Sequence, residues 1–301
     1  MDDTEITDLP LENLCLSGIG SEDLGLGWLW RCSTRLRKLQ LRSCEGIGDR
    51  GDFSSFVKCL KGLQEIELRA CRTIVDGLLL KFAENCVSLN SLLVYDGGSR
   101  EGLLQFITHC KCTLQKLDLR LPLDLDNDHL LTVANKFHIL NTLRLRSCCL
   151  VTGDGLKALV RALSYKLEEI ALINCDVVER ELGLLTSLSQ CLKRLRKLDL
   201  SYNEMLVDKE FVSMIVSCGG LVEVKLRGCG GLGSVSLVSM TKNCKNLESV
   251  DIVNCRGIEA AAVEFLVLNL PRLRQVQVEE CKLSDVAKNW VSEKFIEVVI
   301  G

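Results

Sequence analysis

One short pattern recurs along almost the whole chain and constrains it more than any other feature. It reads L-x-x-L-x-L-x-x-C, with aliphatic residues at the first three fixed positions. Leu36, Leu39, Leu41 and Cys44 fill it, then Leu63, Ile66, Leu68 and Cys71. Leu140, Leu143, Leu145 and Cys148 follow, then Leu167, Ile170, Leu172 and Cys175. Leu221, Val224, Leu226 and Cys229 come next, then Leu247, Val250, Ile252 and Cys255, and finally Leu273, Val276, Val278 and Cys281. Three copies end otherwise: Leu89, Leu92 and Val94 at Gly97, Leu114, Leu117 and Leu119 at Pro122, Leu195, Leu198 and Leu200 at Asn203. A first copy runs through Leu11, Leu14, Leu16 and Ile19. The eleven copies begin 25 to 28 residues apart.

A repeat of this length is one supersecondary unit stacked many times. The x-L-x-L-x stretch alternates with period two, which makes a short strand with one buried face. Turns such as Ile47-Gly48-Asp49 and Val151-Thr152-Gly153-Asp154-Gly155 follow. Residues 77–86 (GLLLKFAENC) and 210–218 (EFVSMIVSC) then carry apolar residues at helical spacing. A strand and a helix alone cannot bury that apolar face, but stacked copies can. The expected fold is therefore α/β: a leucine-rich-repeat solenoid, or horseshoe. Eleven strand–turn–helix units line a concave parallel sheet, with the helices outside. The solenoid is expected over residues 1–282. Residues 283–301, read as a helix over 284–294 and a strand over 295–300, are its cap, with Trp290 covering the last repeat. The open edge of the first repeat needs cover from residues 1–10 or from a preceding domain.

The 17 cysteines fall into columns. Seven close the strand pattern. Seven more (Cys32, Cys59, Cys86, Cys110, Cys191, Cys218 and Cys244) end the helices. Cys15, Cys112 and Cys149 stand outside both columns. A small, nearly apolar thiol suits tight turns, so packing is expected rather than metal binding or redox chemistry. The acidic start MDDTEITDLP has no secretory character, and no apolar run reaches a membrane span. Free thiols then place the chain in cytoplasm or nucleus. A net charge of −3 gives no sign of nucleic acid or an anionic membrane as partner.

The L-x-x-L-x-L-x-x-C frames, the helix-ending cysteines and the turn Thr152-Gly153-Asp154-Gly155-Leu156 resemble the repeat region of plant F-box/LRR proteins, of ribonuclease-inhibitor-like type. The resemblance covers nearly the whole chain. It implies a non-catalytic module that holds the substrate protein of an SCF-type ubiquitin ligase, without cofactors. The F-box itself, which docks on a Skp-type adaptor, is not expected within this chain; Leu9-Pro10-Leu11-Glu12-Asn13-Leu14 only echoes its start and fits the repeat frame better. Adaptor binding would need an F-box upstream. The alternative is a free-standing scaffold or inhibitor that binds a protein without ubiquitination.

The strand positions facing away from the core would meet a partner. The column after the third frame residue reads Arg42, Arg69, Tyr95, Arg120, Arg146, Ile173, Ser201, Arg227, Val253, Glu279. Its neighbour reads Gln40, Glu67, Leu93, Asp118, Arg144, Ala171, Asp199, Lys225, Asp251, Gln277. Arg42, Arg69, Leu93, Tyr95, Arg120, Arg144, Arg146 and Arg227 are the candidate protein-binding residues. The arginines suit an acidic or phosphorylated segment, and Leu93 and Tyr95 give apolar anchors. The competing reading is that Glu67 and Asp118 neutralise the adjacent arginines.

Other motifs carry little. Residues 228–233 (GCGGLG) sit in repeat register as a turn. Asp124, Asp126 and Asp128 start like a calcium loop, but His129 and Asn135 stand where Gly and Glu are required. His109 beside Cys110 lacks a third orienting group. His129 and His138 are expected on the surface or in helices, and residues 193–197 (KRLRK) in a solvated loop.

Overall fold

The computed structural model describes residues 9–21, 26–47, 53–122 and 124–301. The chain divides into two compact units, Met1–Leu140 and Asn141–Gly301. Of the cover expected from residues 1–10, residues 1–8 lie outside the described residues, as does the turn at Gly48-Asp49.

In the first unit the strands are β1 (Asn13–Ser17), β2 (Lys38–Arg42), β3 (Glu65–Arg69), β4 (Ser91–Tyr95) and β5 (Lys116–Arg120). They pair in sequence order, all parallel and in repeat register, so Leu39 lies beside Ile66 and Leu92 beside Leu117. The helices are α1 (Gly27–Cys32), α2 (Phe53–Leu60), α3 (Val75–Asn85), α4 (Arg100–His109) and α5 (Asn127–Lys136), each packed on the next.

The second unit repeats the plan with strands β6 (Thr142–Arg146), β7 (Glu169–Ile173), β8 (Lys197–Asp199), β9 (Glu223–Lys225), β10 (Ser249–Asp251), β11 (Gln275–Val278) and β12 (Glu297–Ile300), again parallel and in order. Its helices are α6 (Gly153–Ala162), α7 (Asp176–Arg180), α8 (Leu184–Cys191), α9 (Asp208–Ser217), α10 (Ser234–Asn243), α11 (Ala260–Asn269) and α12 (Asp285–Glu293). Both units are parallel-sheet solenoids with outer helices, the leucine-rich-repeat fold.

The reason is visible repeat by repeat. From Leu36 onward the first three residues of every frame are buried between sheet and helices. Burial of each such side chain contributes about 1.5–3 kcal/mol. Phe56, Phe82, Phe106 and Phe137 fill the layer between helices and sheet in the first unit, and Phe211 does so in the second. After each strand the chain must turn sharply toward the helix layer. It does so through one left-handed residue immediately before the strand-closing position: Gly18, Ser43, Ala70, Asp96, Leu121, Ser147, Asn174, Tyr202, Gly228 and Asn254. Most are not glycine, so stacking holds a conformation that side chains disfavour.

The next residue closes the turn chemically. The Cys175, Cys229 and Cys255 thiols donate to the carbonyls of Leu145, Leu200 and Leu226, one repeat earlier. Asn203 does the same more strongly: its amide donates to Leu172 and Leu200, and its Oδ1 accepts from the Cys175 backbone N–H at 3.0 Å. Burial pushes the Cys229 thiol up to about 12 and Cys255 to about 11, so both stay protonated donors. In the helix-ending column burial likewise raises Cys86 and Cys244 to about 12.

The eleventh repeat departs from this. Glu280 has no left-handed conformation; the chain instead enters a 3-10 turn, Glu280–Lys282, and Cys281 is exposed. The uniform burial expected of that column fails there because the turn that inserts the thiol is missing. Lys282 Nζ ties this turn back to the previous repeat at a different point, donating to the Cys255 carbonyl at 2.7 Å. Conversely Cys112, outside the columns, is buried beside Cys110. His129 is also buried, held by Asp126 Oδ1 and the Arg100 carbonyl, so Asp126 serves as a helix cap.

Candidate protein-binding site

The sheet face turned away from the helices is built from the x positions of x-L-x-L-x, and the two units use it differently. In the first unit, β4 places Leu93 and Tyr95 on that face, both half-buried. In register, Glu67 and Arg69 lie on one side and Asp118 and Arg120 on the other. Each arginine turns back along its own strand. Arg69 Nε and Nη2 donate to Glu67 Oε2 at 3.2 and 3.0 Å. Arg120 forms a two-pronged pair with Asp118 at 2.8 and 2.7 Å. Leu93 and Tyr95 therefore form an apolar island between two parallel ion pairs.

The charges around the island are fixed rather than loose. Burial alone would raise Glu67, but hydrogen bonds from Gln40, Arg69 and Lys38 hold it below the usual carboxylate range. Lys38 is raised in turn, mainly by its hydrogen bond to Glu65, against a smaller opposing effect of burial. At the turn beyond Tyr95, Arg72 grips Asp96 at 2.9 and 2.8 Å. Arg42, exposed on β2, meets no carboxylate among the described residues.

In the second unit the same columns close over themselves. Arg144 on β6 reaches Glu169 and, passing over β7, Asp199 on β8 at 3.2 Å. Ala171 lies beneath that arm and is fully buried. Arg227, just beyond β9, similarly reaches Asp251 at 2.9 Å and Gln277 at 3.1 Å. Asp199 and Asp251 also accept the backbone N–H groups of Ser201 and Val253. Ile173, Ser201 and Val253 are buried, although their column is the outward one.

The structure thus brings Arg69, Leu93, Tyr95 and Arg120 together on one sheet face and leaves Arg42 at its margin. Within the second unit Arg144 and Arg227 act as braces between strands, and Arg146 lies at the end of β6. The adjacent acids do neutralise most of the stripe: of these arginines only Arg42 and Arg146 lack a carboxylate partner among the described residues. Sequence reasoning missed Arg144's reach to Asp199, since two strand spacings separate them. A small residue at 171 between a long cation and an acid was the available signal.

The motifs set aside stay minor. His109 is exposed and bonded to the Gln105 carbonyl, and Arg194 and Lys197 pair with Glu168 and Glu223. Among the described residues no group of three or more His, Cys, Asp or Glu side chains could hold a metal ion. No helix among them is long and apolar enough to cross a membrane.

The comparisons agree with the fold. The family model described as Leucine Rich repeat matches residues 138–160. No curated protein matches the chain. A chain of the yeast Rad7–Elc1 complex is similar in structure, with a TM-score of 0.61 and 15% identity, covering 87% of this chain and 74% of that one. The leucine-rich repeat-containing protein LegL7 of Legionella pneumophila has a TM-score of 0.60 and 13% identity, covering 94% of this chain and 97% of its own. At such identities the likeness shows the fold. The class so defined is that of a leucine-rich-repeat solenoid.

Proposed function

We propose that the chain captures a partner protein on the open sheet face of its first unit, as the substrate-recognition part of an SCF-type ubiquitin ligase. The observation that carries the binding reading is the Leu93–Tyr95 island between the Arg69–Glu67 and Arg120–Asp118 pairs. Tyrosine ringed by fixed polar groups is the usual composition of an energetic centre in an interface. Arg42 at the margin adds an uncompensated positive charge suited to an acidic segment of the partner. The ligase role rests on the resemblance of the cysteine-closed repeats to F-box/LRR proteins. It is supported, at the level of fold, by the likeness to a chain crystallised in the Rad7–Elc1 complex. Analogy of fold carries less weight than a site.

The test is affinity capture from cells with the wild-type chain and with Tyr95→Ala and Leu93→Glu. A protein lost from both variants is the partner. Its lifetime is then followed with and without the chain and with the proteasome inhibited, and a Skp-type adaptor is sought in the same complex. Degradation dependent on the chain supports the ligase reading. Capture without degradation or adaptor identifies a scaffold or inhibitor instead.

A further inference from the structure

The turns that follow β6, β7 and β8 enclose a shallow recess of about 400 Å³ lined by Arg146, Asn174, Glu179, Tyr202, Glu204 and Met205. Volumes of this order hold one or two side chains of a ligand. Three features make it unlike the other turns. First, Arg146 lies against the Tyr202 ring, with its guanidinium carbon 5.8 Å from the centroid. That is the one side-chain interaction Arg146 makes among the described residues, where its guanidinium N–H groups meet no acceptor. Arg144 on the same strand is held at its two terminal nitrogens by Glu169 and Asp199. Second, Tyr202 and Met205 are exposed, at 43% and 72%, and form an apolar shelf beside the cation. Tyr202 is set there by its left-handed backbone and by its N–H bond to the Arg227 carbonyl. Third, the opposite wall is acidic. Glu179 accepts the Met205 backbone N–H at 2.7 Å, and Glu204 is exposed.

We propose that this recess binds a segment of a partner protein in which an aspartate or glutamate precedes an apolar residue. The carboxylate takes the N–H edge of Arg146, as a planar fork that stacking on Tyr202 already orients. The apolar side chain rests on Tyr202 and Met205. The two glutamates favour a single negative charge over a doubly charged phosphate, which they would repel. The inference rests on the protein-binding reading of the chain, but not on the Leu93–Tyr95 island, and the two fail separately.

The experiment uses methyl-¹³C methionine labelling of the full chain. Met205 is exposed, whereas Met214 and Met240 are buried and report that each variant stays folded. The probe is the capped peptide Ac-Asp-Leu-Lys-Ala-NH2, with Asn and phosphoserine replacing Asp in two controls. The expected result is a saturable shift of the Met205 methyl with the Asp peptide. Affinity should be at least fivefold lower for both controls, and the shift should vanish in Arg146→Gln and Tyr202→Ala. An unmoved Met205 signal, or equal binding of the Asn peptide, overturns the proposal. Equal or tighter binding of the phosphoserine peptide overturns the assignment to a singly charged group. Tyr95→Ala should leave the titration unchanged.

Discussion

The two units spend the same arginine columns in opposite ways. In the first, Arg69 and Arg120 fold onto acids two positions earlier in their own strands, and the strand between them stays open. In the second, Arg144 and Arg227 stretch across neighbouring strands to Asp199, Asp251 and Gln277, and the face beneath becomes part of the interior. The residue type is constant; what differs is where the nearest acid stands and how large the side chain between them is. Leu93 and Tyr95 are too bulky for an arginine arm to cross, whereas Ala171 admits one. An arginine stripe is therefore a docking surface or a brace depending on its neighbours.

The comparison can be broken most sharply at Asn203, which strengthens the second unit where the first has Gly97 and Pro122. Asn203→Ala leaves two buried carbonyls and the Cys175 N–H short of partners. It should cost about 3 kcal/mol in urea unfolding. A cost below that of Cys229→Ala would show that the amide adds nothing to the ladder. Next comes Tyr95→Ala, expected to weaken partner capture by about 2 kcal/mol, or roughly thirtyfold, with stability unchanged. If unfolding shifts instead, the open face of the first unit is structural too. Arg144→Ala should destabilise by about 1.5 kcal/mol, a value reduced because the guanidinium is partly solvated. Arg144→Ala combined with Asp199→Ala should recover part of that loss.

Arg69→Ala, by contrast, removes a pair nearer the solvent and should cost only about 0.5 kcal/mol. Equal effects of Arg144→Ala and Arg69→Ala would erase the distinction between brace and border. The smallest effect concerns pH. Glu67 is held below its ordinary range, so its contribution is present above about pH 4.3 and is lost as the pH falls through the lowered value. Melting temperatures from pH 6 down to pH 2.5 should fall less steeply for Glu67→Gln than for the wild type.

Much of this architecture was legible in the residues. The strands were readable because burial alternates with period two, and the helices because Leu78, Leu79 and Phe82 recur on one face. Both outward columns were readable from register alone. Three things were not. At the ends of β8 and β10, which have only three residues, Asp199 and Asp251 bond the backbone N–H groups at 201 and 253, a local competition that pattern does not report. The exposure of Cys281 depends on the backbone at Glu280, where the sequence still fits the frame. The recess at Arg146 joins residues from three repeats, and Tyr202 stood in a variable position beside Asn203 with nothing to distinguish it.

The thiol and amide ladder has a consequence for how such a chain can change length. At Cys44, Cys175, Asn203, Cys229 and Cys255 a rung ties a side chain to a carbonyl one repeat back, in each case three positions beyond the third frame residue. An extra residue inside that interval would detach the rung and rotate the following segment away from its neighbour. The variation from 25 to 28 residues must therefore be absorbed on the helical side. Insertions after the rung should be tolerated where insertions before it are not, which marks the helix-side loops as the places where new segments can be grafted.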